Sequence, residues 1–324
     1  MVEKIGSYPI VSISMLTYNH EKYISQAIES ILMQQVNFPY QIIIGEDAST
    51  DKTREIILEY AKQFPERFYL IFHDHNVGMT QNALSLRPFL TGKYIACLEG
   101  DDYWIDPNKL QKQVEFLDQH PEYMGVSHKV LDVNENGGYY PQAKSYFKDK
   151  VYTLKHVEQY LLAGHTSTLV YKRYFSMLKE EEITIYNACN IVGDRKLNLV
   201  LAALGGVYRM DECMSVHRHS ASAWTQQTQV QPGGMSYFDY QTMDQLSKLA
   251  KDLFSVDLDF SEMKMRAWFG TVIQWLRYPK QKNWEAIQTI FFSDNKKAQK
   301  LLYLLFHIIS WPYRAILKKA EEVL

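Results

Sequence analysis

The 324-residue chain has few cysteines, no long apolar run and almost no net charge. Its three cysteines, Cys97, Cys189 and Cys213, form no CxxC pair, which argues against a disulfide framework and favours a reducing, cytoplasmic setting. No apolar stretch reaches about 18 residues, so we expect no transmembrane helix, and residues 1–8 lack the apolar segment of a signal peptide. The net charge of −2 gives no electrostatic basis for nucleic-acid binding.

Glycine-rich phosphate-binding motifs are also absent. Neither GxxxxGK[ST] nor a GxGxxG after the first apolar run occurs, which argues against P-loop enzymes and dinucleotide dehydrogenases. A nucleotide diphosphate would therefore be bound mainly through a metal ion. Aromatic residues, in contrast, make up 14% of the chain. They serve as core, as interface or as platforms for flat ligand faces, and composition does not distinguish these uses.

Short apolar runs alternate with segments of helical periodicity in the first part of the chain. This alternation predicts βαβ units and a mostly parallel sheet, in which ligands bind at the carboxyl ends of the strands. The predicted strands of this part are residues 10–16, 41–45, 68–72 and 94–98. Further on, the pattern predicts strands at residues 125–130, 166–171 and 205–210, and a helix at residues 192–204.

The last hundred residues are helical in pattern and follow a glutamine-rich segment that ends in Pro-Gly-Gly. We therefore expect an α/β domain over residues 1–225 and a helical extension over residues 226–324. From Lys296 onward the chain has a net charge of +4, and Leu301–Leu317 is largely apolar. Two interpretations remain open: a helix packed on the domain or on a second copy in a homodimer, or peripheral contact with a membrane surface.

Three carboxylates follow the fourth predicted strand within four positions: Glu99, Asp101 and Asp102. Like charges at this spacing repel one another unless a cation lies between them. Mg²⁺ or Mn²⁺ accepts such carboxylates and fills its remaining positions with phosphate oxygens and water. The alternative is a loop that caps the helix beginning near Pro107, but a cap needs only one of the three acids. The cluster therefore predicts a metal–diphosphate site.

A second pair of acids, Glu46 and Asp47, follows the second predicted strand. Carboxylates there can accept hydrogen bonds from a base N–H or a ribose hydroxyl group. An N-cap for the next helix, supplied by Asp47 or Ser49, explains the same residues equally well.

Taken in order, these segments resemble the family 2 glycosyltransferases of the GT-A fold, a Rossmann-like α/β architecture. The resemblance covers residues 9–118 and continues more weakly to about residue 224. The matching segments are Val11–Asn19, Ala27–Gln34, Glu46–Asp51 (a variant of the family's DDGSTD), Asn76–Gly78 and Tyr94–Gln113 with its Asp-x-Asp element.

The resemblance implies inverting transfer of a sugar from a nucleotide-diphospho-sugar donor to a hydroxyl group of a glycan or lipid-linked acceptor. It also implies the setting, which is surface polysaccharide synthesis at the inner face of the plasma membrane. UDP is the first choice of nucleotide. The implied donor-binding residues are Thr17, Tyr18, Glu46, Asp47, Asn76, Glu99 and Asp101. The implied ligands of Mn²⁺ or Mg²⁺ are Asp101, Asp102 and His219.

The sequence departs from the family pattern at three positions. Glu46 and Glu99 replace aspartates, which keeps the charge and lengthens each arm by one CH₂ group. Gln81 stands where the family has arginine, so a cationic contact to the donor is missing. Arg218, between His217 and His219, is a candidate to supply that charge.

The resemblance places the general base at Asp194, near the start of a predicted helix, where an N-cap would look identical. Acceptor contacts are expected from aromatic and polar residues of the second half of the domain and of the loop that carries Glu99, Asp101 and Asp102, here named the acid loop. For Trp104 a role in the core is an equal alternative. Two other functions remain open: a nucleotidyltransferase, and a non-catalytic module that binds sugar nucleotides or glycans. The candidate acceptor residues are Trp104, His165, Thr166 and Trp224.

Overall fold

The computed structural model describes residues 9–140, 146–189, 191, 193–219, 234–277 and 281–292. The strands are β1 (Val11–Thr17), β2 (Tyr40–Glu46), β3 (Phe68–Phe72), β4 (Tyr94–Glu99), β5 (Tyr103–Trp104), β6 (Gly125–Asn134), β7 (Val151–Tyr152), β8 (Val170–Lys172) and β9 (Val207–His219). The helices are α1 (Ile24–Leu32), α2 (Thr53–Gln63), α3 (Met79–Leu86), α4 (Lys109–Gln119), α5 (Leu154–Glu158), α6 (Glu180–Ala188), α7 (Gly193–Leu204), α8 (Gly234–Phe254), α9 (Ser261–Arg277) and α10 (Gln281–Phe292).

Within these ranges the strands form one sheet in the order β3-β2-β1-β4-β8-β6-β9-β5, with β7 paired to β9. The longer pairings, β1 with β2 and β4, β2 with β3 and β6 with β9, are parallel. The antiparallel pairings are only two or three residues long. The sheet is therefore mostly parallel, as predicted. Its register brings Thr17 level with Glu46, and Leu16 level with Glu99, so three strands end at one edge.

The core lies between the central strands and the helices that pack on them. In α1 the buried residues Ile24, Ala27, Ile28 and Ile31 recur at helical spacing and form one apolar face. Burying each isoleucine contributes about 1.5–3 kcal/mol. This face packs with β1, β2 and β4, most of whose apolar side chains are buried, and so fixes the strand ends that carry the polar loops.

The four N-terminal strands and the helix starting near Asp194 are confirmed, but the later strands differ from the prediction. Residues 166–168 form a short 3₁₀ turn, and only residues 170–172 are strand. The physical reason is that side chains donate hydrogen bonds to backbone carbonyl groups that would otherwise pair with a neighbouring strand. Trp104 Nε1 donates to the carbonyl of Ser167, and Gln113 Nε2 donates to that of Thr168. β6 and β9 both run further than predicted, to Asn134 and His219.

Contacts divide the chain into two compact units. Of the described residues, the first unit comprises those up to His219 together with 249–256, and the second comprises those within 234–248 and 257–292. In the second unit α9 and α10 pack together, with the Trp275 and Trp284 rings 5.2 Å apart. No helix within the described ranges has the length and apolarity needed to cross a bilayer. The predicted boundary at residue 225, Trp224 and the basic tail lie outside the described residues.

Candidate active site

The acid loop follows β4 directly and is pressed against the end of β1. A Cβ atom on Gly100 would lie 2.7 Å from both Thr17 Oγ1 and His20 Nδ1, so only glycine allows this approach. Thr17 is buried, and its hydroxyl lies 3.2 Å from His20 Nδ1. Asp101 Oδ2 lies 3.9 Å from His20 Nε2. The tight packing holds the loop's carboxylates at the carboxyl edge of the sheet.

Glu99, Asp102 and His165 form a cluster in which one potential ligand atom of each lies within 4.8 Å of the others. His165 Nδ1 is 3.4 Å from Asp102 Oδ2, and the Thr166 side chain hydrogen-bonds to Glu99. Glu99 Oε2 and Asp102 Oδ2 are buried and have no hydrogen-bond partner among the described residues. Because unpaired buried carboxylate oxygens are costly, this donor set fits a divalent cation.

The pKa values of Glu99 and Asp102 reflect the same crowding. Burial, followed by the neighbouring Asp101 carboxylate, raises the pKa of Glu99 to about 7. Burial, Asp101 and Glu99 raise the pKa of Asp102 well above its usual range. The alternative role as helix caps is wrong, because α4 begins after Asn108, whose N–H donates to Asp106 instead.

This electrostatic arrangement predicts how stability depends on pH in the metal-free protein. Because the folded state raises the pKa of Glu99 from 4.5 to about 7, the folded protein binds the proton more tightly than the unfolded chain. The contribution to stability is present below pH 4.5 and is lost as pH rises through 7, by about 3 kcal/mol. Urea unfolding after chelation, at pH 5 and pH 8, measures it. The Glu99→Gln variant should lose less stability over this range, and an equal loss would contradict the prediction.

Asp47 joins two loops at the same edge of the sheet. Its carboxylate accepts hydrogen bonds from the backbone N–H groups of Val77 (2.7 Å) and Gly78 (2.9 Å), and its carbonyl accepts one from Asn76 Nδ2 (3.3 Å). Asp47 therefore does not cap α2. Ala48, the next residue, has φ 57°, a left-handed conformation that is strained for a residue with a side chain.

Replacing Asp47 by alanine should lower the free energy of unfolding by about 1–2 kcal/mol, because two backbone N–H groups lose a charged acceptor. Denaturant unfolding measures the change. Asp74→Ala is the matched control, since Asp74 is an exposed aspartate in the β3–α3 connection, which also contains Val77 and Gly78. Equal stability of the two variants would contradict the role assigned to Asp47.

The other predicted donor residues fall at this edge in two different environments. Glu46 is fully buried, and its carboxylate accepts from the Ser49 N–H and pairs with Arg54. Tyr18 is 40% exposed, and its ring is accessible to a ligand. The predicted donor residues therefore lie at one edge of the sheet. Glu46, however, binds groups of the protein itself, in the connection from β2 to α2 and in α2.

His219 lies in a different cluster from the one predicted. Nδ1 of His217 and Nε2 of His219 each lie 2.8 Å from Oδ1 of Asp132. The sequence prediction grouped His219 with Asp101 and Asp102; the register of β6 and β9 instead sets Asp132 opposite His217. The sequence analysis did not identify Asp132, because the predicted strand ended at residue 130. No motif near Asp132 in the sequence indicated that it would lie beside β9.

Arg218 points to the other side of β9 and supports the acid loop. Its backbone N–H donates to Asp102 Oδ1 (2.9 Å), and its guanidinium donates to the Asp101 carbonyl and to Gln26 Oε1. The guanidinium also lies over the Tyr23 ring, 4.4 Å from its centroid. Arg218 therefore holds the acid loop in place. The sequence analysis had instead predicted that Arg218 supplies the cationic contact to the donor that is missing at Gln81.

Asp194 lies in the first turn of α7 and is half-buried. Its Oδ1 accepts from the N–H of Arg195, the residue after it. Asp194 and three other acids affect the same group, the phenol of Tyr146. Burial, followed by the carboxylates of Asp132, Asp102, Asp194 and Glu99, raises the pKa of Tyr146. Two carboxylates of the acid loop and one each from β6 and α7 therefore act on one phenol, which the sequence analysis did not single out.

The predicted acceptor residues have different environments. Trp104 is 1% exposed, and its ring lies against Lys109 with its N–H on Ser167, so it is a core residue that offers no face to a sugar. This corrects its prediction as an acceptor contact. His165 and Thr166 lie on the acids of the loop, at the candidate cation site.

Comparison with known proteins places the chain among sugar-transferring enzymes. Residues 12–197, more than half of the chain, match the family model described as "Glycosyl transferase family 2". An uncharacterised protein of Mycobacterium tuberculosis is 43% identical over 127 residues, 39% of this chain and 37% of that protein. The Escherichia coli protein WfgD, a UDP-Glc:alpha-D-GlcNAc-diphosphoundecaprenol beta-1,3-glucosyltransferase, is 30% identical over 142 residues, 43% of this chain and 54% of WfgD. The aligned segment thus spans about half or less of these relatives.

Solved structures agree in fold. The structure of S. aureus TarS 1-349 in complex with UDP-GlcNAc superposes with a TM-score of 0.63 at 18% identity, covering 86% of this chain and 79% of that one. The mannosyltransferase PcManGT from Pyrobaculum calidifontis, in complex with GDP-Man and Mn²⁺, gives a TM-score of 0.52 at 16% identity, covering 95% of this chain and 83% of that one.

Proposed function

The chain belongs to glycosyl transferase family 2, and on that premise we propose that it transfers a sugar from a nucleotide-diphospho-sugar to a hydroxyl group of a glycan or lipid-linked acceptor. The observation that carries the proposal is a pair of carboxylates at the carboxyl end of β4, Glu99 and Asp102, each with one buried oxygen that has no hydrogen-bond partner among the described residues. The proposed reaction is of the hexosyltransferase type, with inversion at the anomeric carbon, in surface polysaccharide synthesis.

Asp194 is the proposed general base. It accepts the proton of the acceptor hydroxyl while that oxygen attacks the anomeric carbon. The bond from this carbon to the diphosphate oxygen breaks in the same step, and its electron pair leaves with the nucleoside diphosphate. Its position in the first turn of α7 leaves the carboxylate half-exposed, so a hydroxyl group can reach it.

Glu99, Asp102 and His165, whose ligand atoms lie together, are the proposed holders of Mn²⁺ or Mg²⁺, with Asp101 of the same loop as a further proposed ligand. When bound, such an ion supplies positive charge to the departing diphosphate. Thr17, Tyr18 and the loops joined by Asp47 provide the proposed nucleoside contacts, with the exposed Tyr18 ring as a stacking surface for a base.

Two similar proteins favour a class of donor and a class of acceptor. The activity for which WfgD is named, transfer from UDP-Glc to a diphosphoundecaprenol-linked sugar, favours a UDP-sugar donor and a lipid-diphosphate acceptor at a membrane surface. The binding of UDP-GlcNAc by TarS supports the same nucleotide.

A donor screen tests the proposal. The purified chain is mixed with UDP-, GDP- or dTDP-sugars, Mn²⁺ and a panel of lipid-linked and soluble glycans, and release of nucleoside diphosphate is measured. We expect release with one UDP-sugar that depends on acceptor and metal. Tight binding of UDP by calorimetry without any turnover would favour a non-catalytic binding module, and release of pyrophosphate from a nucleotide triphosphate and a sugar phosphate would favour a nucleotidyltransferase.

A further inference from the structure

We propose that a cavity on the β6–β9 side of the acid loop binds an oxyanion of the acceptor, a carboxylate or phosphate group carried by a sugar. The cavity has a volume of about 220 Å³ and lies between β6, the start of β9, the segment before β7 and the segment after α5. That volume equals about seven water molecules, which suits a group of about one sugar ring. The assignment to the acceptor rests on the proposed function, whereas the oxyanion chemistry rests on the lining residues alone.

The cavity adjoins the acids of the candidate active site. His165, which lies 3.4 Å from Asp102 Oδ2, is one of its lining residues. Tyr146, whose phenol lies within electrostatic range of Asp194, is another. The proposed nucleoside contacts are at the ends of β1 and β2, across β4 from the cavity. A ligand in the cavity therefore approaches the acids from the side opposite the donor, as an acceptor does in an in-line displacement.

The lining of the cavity carries positive charge. Lys129, Lys148 and Arg209 are cationic, and none of the described lining residues is acidic. The exposed Asp211, outside the cavity, has its Oδ1 3.7 Å from Lys129 Nζ and 4.0 Å from Arg209 Nη2, and it also pairs with Lys150. One carboxylate shared among three cations leaves an excess of positive charge at the cavity, which favours an anionic ligand.

Two buried polar atoms of the lining residues have no hydrogen-bond partner in the described part of the chain, Nε of Arg209 and Nε2 of His128. Arg209 Nη2 donates to the Lys148 carbonyl at 2.7 Å, which fixes the guanidinium and leaves its Nε–H group as an unused donor. A buried charged donor without an acceptor is costly, and an oxyanion in the cavity would supply that acceptor.

His128 supplies the opposite kind of group. It is 3% exposed, and its Nδ1 lies 2.8 Å from the Lys129 carbonyl oxygen, so Nδ1 carries the proton and donates it. Burial, followed by the charge of Lys109, holds the pKa of His128 well below its usual range, which keeps the imidazole neutral. Its Nε2 is therefore an acceptor, and a hydroxyl group is a donor that fits it. A sugar that carries both a hydroxyl group and an anion matches His128 and Arg209 together.

Binding of small sugars tests the site in the full chain, without metal or nucleotide. Glucose 1-phosphate, glucuronate and uncharged glucose are titrated against the chelator-treated protein, and their affinities are measured by saturation-transfer NMR. We expect at least one of the charged sugars to bind about 10-fold or more tightly than glucose, because it reaches a buried charged donor. The charged sugar that binds more tightly identifies the anion as a phosphate or a carboxylate.

Arg209→Gln should weaken binding of that charged sugar by about 10-fold or more, since it removes a charged hydrogen bond. Lys148→Gln removes an exposed cation and should weaken it by about 2–5-fold. Lys155→Gln is the matched control, because Lys155 is an exposed lysine of α5 and is not one of the lining residues. It should leave the affinity unchanged.

The site is overturned if glucose binds as tightly as both charged sugars, or if folded Arg209→Gln and Lys148→Gln proteins bind the charged sugar as the wild type does. Far-UV circular dichroism establishes folding, and Lys148→Gln suffices if Arg209→Gln does not fold. None of these outcomes depends on UDP binding or on transfer, so a failure here leaves the proposed function untouched.

The transfer reaction tests the assignment to the acceptor. With the acceptor found in the donor screen, Arg209→Gln should raise the acceptor KM by about 10-fold and change kcat far less, because the contact is made before the transition state. An unchanged KM in a variant that has lost binding of the charged sugar would overturn this assignment. Calorimetry of the wild type with UDP and Mn²⁺ reports on the donor site separately, and absence of binding there would contradict the proposed function alone.

Discussion

Asp194→Asn should lower the rate of sugar transfer by about 10²–10⁴-fold while leaving donor affinity unchanged. The amide has the same shape as the carboxylate, and its oxygen can still accept from the Arg195 N–H at the start of α7. What it cannot do is take a proton from the acceptor hydroxyl. The change therefore affects the chemical step and not the nucleotide site, which is built from other loops.

Single-turnover transfer and calorimetry with UDP and Mn²⁺ separate the two effects. Asp149→Asn provides a control, because Asp149 is an exposed aspartate that pairs with His156. If Asp194→Asn transfers sugar at the wild-type rate, Asp194 serves only the helix start and the base lies elsewhere. If both transfer and UDP binding fail together, the variant has disturbed the fold.

Asp102→Asn should weaken Mn²⁺-dependent UDP binding by about 100-fold. Asp102 is 1% exposed and belongs to the cluster with Glu99 and His165. The substituted amide retains an oxygen for the Arg218 N–H, so the loop keeps its backbone anchor. The charge that would hold the cation is lost, and the diphosphate then loses its main contact, because the chain has no glycine-rich phosphate loop.

The same substitution has an opposite effect on the metal-free protein. Burial, Asp101 and Glu99 raise the pKa of Asp102, so removing its charge relieves repulsion and should raise the thermal midpoint. Asp106→Asn is the control, since Asp106 lies in the next loop and pairs with Lys112. Unchanged UDP affinity with Mn²⁺ in Asp102→Asn would show that the cation is held elsewhere.

The local sequence pattern was enough to predict the fold and the residues at one edge of the candidate site. The strand–helix alternation and the motif order predicted a GT-A fold, which is confirmed, and placed Thr17, Glu46 and Glu99 at the ends of strands. These conclusions needed only periodicity and chain order, because parallel strands that alternate with helices end on the same side of the sheet.

Side-chain partners over long sequence separations were beyond that reasoning. Trp104 stands next to the acid loop in sequence, but its indole is buried with its N–H on Ser167, 63 residues away. Glu46 resembles a ligand contact in its motif, yet it is buried against Arg54 and Ser49. Sequence position shows which loop a residue belongs to, whereas packing decides the direction of its side chain.

The sequence by itself determined the α/β architecture, the carboxylates after β4 and the family, because these depend on neighbouring residues along the chain. Only the tertiary structure decided that His219 pairs with Asp132 and His217, and that His165 and Thr166 contact the acids of the loop. The physical reason is strand register. Two strands far apart in sequence are brought side by side by the burial of their apolar faces, and a shift of one residue would turn Asp132 away from both histidines.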